Sequence, residues 1–238
     1  MRSPAVLVPA ALLAVLGCAP AVGVPPEPPA VNTYRSPKLD GMERRKVLVV
    51  PFRHADDAVA RAVTEAFALE LEKTLFFEVV SPYGPAAKDF EGLRVWMDGG
   101  LEIRSLTALR RRFKVDAVAV GQVTQYRAYD PPVLGMRAQV VSARSGIVLW
   151  GTEGCFDARE AGVRTLVRHF YSRCLATPER SHGWKIVLSS PRYYAQFVAH
   201  QLVSTLDPPR SLLVPSDPLL GSAPQCRSIV STILSPQP

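Results

Sequence analysis

Four cysteines and four histidines carry most of the reactive chemistry this chain could offer. The histidines are His54, His169, His182 and His200, and none stands at i, i+4 from a second ligand-type residue on a helical stretch. No H-E-x-x-H and no Cys/His spacing of the zinc type occurs, so no metal site is expected and no cofactor is implied. A nucleophile elbow, an S-x-x-K and the glycine-rich phosphate loops are also absent, which leaves acyl transfer and nucleotide chemistry without their signatures. A site assembled from separated residues, such as His54 with Asp56, gives a periplasmic hydrolase as the lowest of three readings. Asp56 and Asp57 equally suit the first turn of a helix, where carboxylates cap free N–H groups. The chain is therefore read as a non-enzyme.

Cys18 is different, because its surroundings define a chemistry. A single cation, Arg2, precedes the apolar run Ala5-Val-Leu-Val-Pro-Ala-Ala-Leu-Leu-Ala-Val-Leu-Gly17. This is the layout of a secretory signal, and the run is shorter than the roughly 20 residues a spanning helix needs. Val15-Leu16-Gly17-Cys18 resembles the lipobox of bacterial lipoproteins, with Leu16 bulkier than is usual at its place. The resemblance implies a signal peptide over 1–17, acylation of Cys18, and a membrane partner reached through the N-terminal lipid. An ordinary secretory signal that happens to contain a cysteine is the alternative. By the sorting habit of the enterobacterial lipoproteins that this junction resembles, Ala19 after the cysteine implies the outer membrane, with the protein facing the periplasm. Export permits a disulfide among the remaining thiols, and Cys155 with Cys174 is the expected pair; three reduced, half-buried cysteines are the alternative.

Residues 18–43 are rich in Pro and small side chains and read as a tether. Residues 207–238, rich in Pro and Ser without a sustained period, read as a tail. Between them, 44–206 is expected to form one α/β domain. Lys46 to Phe52 is a short β-branched run, a buried strand. Val59, Ala62, Val63, Ala66, Phe67 and Leu71 recur at helical spacing. Phe76 to Val80 is a strand, and Leu101 to Phe113 a helix. Val115 to Gly121 is apolar on both faces and continues toward Tyr126. In the next strand Leu134, Met136, Ala138 and Val140 face one side, Arg137 and Gln139 the other. Arg144-Ser145-Gly146 is a hairpin loop returning through Ile147 to Trp150. Glu160 to Leu175 and Pro191 to Leu206 are helices, and Trp184 to Leu188 a strand or extended loop. The order β-α-β-α-β-β-β-α-α predicts a mixed-sheet α/β sandwich of two or three layers.

The net charge of +7 is modest and its cations are scattered, apart from Glu43-Arg-Arg-Lys46 and Arg110-Arg-Arg-Phe-Lys114. Without interleaved aromatics, and with an export signal, no nucleic-acid partner is expected. The polar stretch Thr124 to Pro132 prolongs a buried strand, and Tyr126, Arg127, Tyr129 and Asp130 are its candidate partner-binding residues, since Tyr and Arg make good interface anchors.

The order of elements and the wording of Val47 to Phe52, Phe77 to Val80, Val115 to Thr124 and Val141 to Trp150 resemble an envelope-domain family. It includes the N-terminal domain of TolB, the periplasmic domain of the curli secretion lipoprotein CsgG, and the penicillin-binding-protein activator LpoB. The likeness spans about residues 46–157. It implies an anticodon-binding-domain-like sandwich and a non-catalytic module that binds an envelope protein or a peptidoglycan-associated partner. A component of an outer-membrane secretion assembly, CsgG-like, is the alternative, although Ser81 to Gly100 and Gln125 to Leu134 lack the alternation of barrel hairpins.

Overall fold

A computed structural model of the chain describes residues 29–42, 44–83, 96–97, 100–101, 103–129, 131–176 and 183–206. The strands are β1 (Val31–Arg35), β2 (Lys46–Val49), β3 (Glu78–Val80), the two-residue pair β4 (Trp96–Met97) and β5 (Gly100–Leu101), β6 (Ala117–Arg127), β7 (Val133–Ser142) and β8 (Val148–Asp157). The helices are α1 (Asp57–Lys73), α2 (Ile103–Phe113), α3 (Ala161–Phe170, running on as a π turn over Tyr171–Leu175), α4 (Lys185–Ser189) and α5 (Pro191–Val203). Six strands form one mixed sheet in the order β1-β8-β7-β6-β2-β3, while β4 pairs only with β5. β6 runs parallel to β2 and antiparallel to β7, so the sheet has a parallel half and a meander half. The mixed α/β sandwich expected from the order of elements is the fold observed.

Alternation along the strands divides the core. On one face Ala117, Ala119 and Val123 of β6, Leu134, Met136, Ala138 and Val140 of β7, and Trp150 and Phe156 of β8 pack under α1, α3 and α5. On the other face Leu48, Val118, Val120 and Val141 pack against Leu106 and Leu109 of α2. The two-faced apolar run of β6 is what a strand covered on both sides requires. Asp56 caps α1, its Oδ1 accepting from the N–H of Ala58 at 2.8 Å, and Ser190 caps α5 with Pro191 in the first turn. Gly146 takes φ 69 in the β7–β8 turn, the left-handed conformation the hairpin reading required.

Two expectations are corrected here. The stretch 18–43 is not wholly tether: β1 pairs antiparallel with β8 from Val31↔Gly154 to Arg35↔Trp150, and Leu39, on the 3-10 turn Pro37–Met42, is fully buried. Residues 31–42 thus belong to the domain. Trp184 to Leu188 is neither strand nor loop: Lys185–Ser189 is one helical turn that buries Val187, with Arg168 stacked 4.5 Å over the Trp184 ring. A five-residue apolar run is too short for its period to separate helix from strand. The signal peptide, Cys18 and the tail 207–238 lie outside the described residues.

Candidate functional site

Strand geometry separates the candidate partner-binding residues. A register shift between Val123 and Gln125 resets β6, after which Tyr126 pairs with Leu134 and Arg127 with Val133. Directly opposed residues share a face, so Tyr126 lies with Leu134 and Phe156 toward the helices, and Arg127 with Val133 and Asp157 away from them. Tyr126 is half-buried and meets His54 edge-on at 5.8 Å. Burial, with Tyr129 and Asp56 nearby, raises its phenol above the ordinary value. The Arg127 Nε donates to Pro131 O at 2.9 Å, and its guanidinium stands 3.8 Å from the Asp157 carboxylate. Tyr129 is 65% exposed at the strand's end. Asp130 lies outside the described residues. The candidate residues therefore do not share one face of the sheet: Tyr126 and Arg127, adjacent on β6, point to opposite sides.

What the fold builds instead is an open sheet face. Helix α2 packs on Val118, Val120 and Val141, toward the start of β6, and beyond it the exposed side chains of that face, Asn32, Gln122 and Arg137 among them, are polar. Gln122, Arg137, Glu153 and Asn32 form one row across four strands, and Val120, Gln139, Gly151 and Tyr34 the next. Arg137 forks onto Glu153 through two hydrogen bonds of 3.0 and 2.9 Å. Tyr34 is 54% exposed on edge strand β1, beside a shallow groove of about 370 Å³ that Gly151 leaves open.

Cys155 and Cys174 are not bridged to each other. Cys155 sits on the open face, its Sγ donating to Gln125 Oε1 at 3.3 Å, while Cys174 packs from the helix side against the main core. The sheet separates them, so the expected bridge does not form. Burial, then Asp157 and Glu160, pushes the Cys155 thiol above its ordinary value.

His54 and Asp56 do not make a catalytic pair. The Asp56 carboxylate is taken up by the α1 N-terminus, and His54 Nδ1 accepts from the Asp56 backbone N–H at 3.0 Å. Among the described residues no group of three or more His, Cys, Asp or Glu is placed to hold a metal ion.

The sequence reading missed a buried charge cluster. Glu70, on the inward face of α1, accepts from Lys73 Nζ at 2.6 Å and Gln196 Nε2 at 2.9 Å, and lies 3.0 Å from His200 Nδ1. Burial pushes its carboxyl up, but His200 and Lys73 outweigh that and hold it below the ordinary value. Its position three residues after Phe67 was the available signal.

The geometry defines a class: a mixed-sheet α/β sandwich with α1, α3 and α5 on one face and α2 on part of the other, where among the described residues polar rows of the sheet stay exposed. No family model and no curated protein matches the sequence. Among solved structures the chain is similar to the PelC dodecamer from Paraburkholderia phytofirmans, at 14% identity over 74% of this chain and 93% of that one, with a TM-score of 0.42. It is also similar to lipoprotein GNA1162 from Neisseria meningitidis, at 24% identity over 48% and 80% and a TM-score of 0.36. A third similarity is to E. coli LpoB, at 14% identity over 65% and 82% and a TM-score of 0.37.

Proposed function

We propose that this chain is a lipid-anchored, non-catalytic protein-binding module of the cell envelope, held at the outer membrane through Cys18. The observation that carries the binding role is the half-covered sheet. Its open rows present Tyr34, Arg127 and Arg137 on paired strands, where backbone order is already established. Tyr and Arg on a rigid platform lose little freedom on docking and supply large contact area, which is why such residues dominate interface energetics. The partner is an envelope protein or a peptidoglycan-associated one.

Two measurements test the reading. Mass spectrometry of the mature N-terminus should show acylated Cys18, and Cys18→Ser should release the protein from membranes; an unmodified N-terminus beyond Cys18 overturns the anchor. A photo-crosslinker placed at Tyr34 in cells should give a discrete adduct with one envelope protein. The adduct should disappear in the Arg127→Ala/Arg137→Ala variant, whose fold is checked by its melting curve. An adduct of unchanged yield in that variant would mean the open face is not the docking surface.

A further inference from the structure

Backbone pairing gathers cations from three segments at one end of the sheet. The Asp116 N–H donates to Lys46 O at 2.9 Å, and the Ala143 N–H donates to Asp116 O at 2.9 Å. The lead-in to β2 (Arg44, Arg45), the end of α2 with Lys114, and the β7–β8 turn with Arg144 are thereby neighbours. A groove of about 520 Å³ opens there, lined by Thr107, Arg110, Arg111, Lys114, Val115 and Asp116. Arg110, Arg111 and Lys114 are exposed, and among the described residues none of the three has an ion-pair partner. Among the described residues the neighbouring carboxylates are engaged: Glu78 pairs with Lys46 at 3.1 Å, and Asp116 Oδ2 accepts from the Lys46 N–H at 3.4 Å.

The simplest account of these cations is that they neutralise the C-terminal dipole of α2. That dipole amounts to about half an elementary charge. Three cations in the groove exceed it even after Asp116 is subtracted, so a positive surplus remains. Backbone conformation adds a second, independent observation. Lys114 follows the last helical residue at φ 54, and Arg44 precedes β2 at φ 58. Both positions favour glycine, and a side chain there carries a conformational cost. Of three non-glycine residues at positive φ among the described residues, two are cations at this end. Glycine at Lys114 would relax the backbone but remove a charge from the groove.

We infer that the groove between the end of α2 and the start of β6 binds a phosphate-bearing anion, with Arg110, Arg111 and Lys114 as its ligands. Guanidinium forks match phosphate oxygens two at a time, and the ammonium of Lys114 adds a point charge. The phosphate belongs to a lipid headgroup or to a soluble phosphate anion.

The test is titration of the detergent-solubilised full chain with inorganic pyrophosphate, short-chain phosphatidylglycerol and short-chain phosphatidylcholine, followed calorimetrically. Saturable binding is expected for at least one of the first two, weakening about tenfold between 50 and 200 mM salt, as a contact dominated by charge does. Tight binding of both assigns a general phosphate site; phosphatidylglycerol alone assigns a headgroup site. Arg110→Ser/Arg111→Ser should weaken binding at least tenfold. Lys114→Gly should raise the melting temperature while weakening binding, a combination that misfolding cannot produce. Phosphatidylcholine binding as tightly as phosphatidylglycerol, no binding of either anion, or a stabilised Lys114→Gly variant with unaltered affinity overturns the assignment.

Discussion

Glu70 offers the sharpest test of how the helical layer is held to itself. Its side chain is 2% exposed, and three donors converge on it from α1 and α5. Removing one partner of a buried ion pair costs about 3–5 kcal/mol when the remaining charge is left dry. Here Lys73 and His200 keep 23% and 32% of their side-chain exposure, so water can take over part of Glu70's role. Glu70→Ala should therefore lower the unfolding free energy by about 2–3 kcal/mol, once the screening open to half-exposed partners is counted. Glu70→Gln, which keeps shape and one acceptor but drops the charge, should lose about half of that. The sign of the pH dependence follows from the lowered folded pKa. Stability from Glu70 is fully present above the unfolded value near 4.5 and is lost as pH falls through the folded value, because the unfolded chain takes up the proton first. Urea denaturation between pH 7 and pH 3, followed by tryptophan fluorescence, measures both effects, since Trp150 is fully buried in the same core. A Glu70→Ala protein within about 0.5 kcal/mol of the parent, or one that keeps the parent's acid slope, would refute the reasoning.

Three further outcomes are expected. A Cβ on Gly121 would stand 2.3 Å from the Phe52 ring, so Gly121→Ala should cost about 1–3 kcal/mol in a denaturation curve, with Gly151→Ala, whose nearest atom is 3.5 Å away, as the near-neutral control. A chain beginning at Arg44 loses β1 and Leu39 and should no longer melt cooperatively, whereas one beginning at Pro29 should; calorimetry of the two distinguishes them. Val118→Asp, between β2 and β7 and fully buried, should cost several kcal/mol and abolish the folded dispersion in an NMR spectrum.

The sheet's centre was legible because its sequences obey simple periods. Ala117 to Val120 are apolar at every position, as a strand covered on both faces must be, and Leu134 to Val140 alternate, as a strand with one wet face must. β1 was not legible for the opposite reason. Val-Asn-Thr-Tyr-Arg exposes its middle three residues and buries none fully, so an edge strand with its outer edge unpaired carries little hydrophobic signal. Its neighbours Pro28 and Pro29 added the composition of a linker. Glu70 escaped because apolar spacing is searched for apolar residues; a carboxylate in that register shows itself only once Gln196 and His200 arrive from α5, well over a hundred residues further along.

The same logic explains why a binding site read along one strand could not survive folding. Tyr126 and Arg127 are sequence neighbours, and a strand sends neighbours to opposite faces. A surface on a sheet is assembled across strands: Gln122, Arg137, Glu153 and Asn32 come from four of them, and Asn32 from a part of the chain far from the other three. The position of α2 then decides which rows are available. It covers the apolar stretch Val118, Val120 and Val141 and stops where the side chains become Gln, Arg and Glu, so the boundary between core and open face is written in the change of residue type along β6 and β7. A partner that docks on this domain meets rows, and substitutions at Tyr34 and Arg137 should act together on its binding while Tyr126, turned toward His54, acts only through the fold.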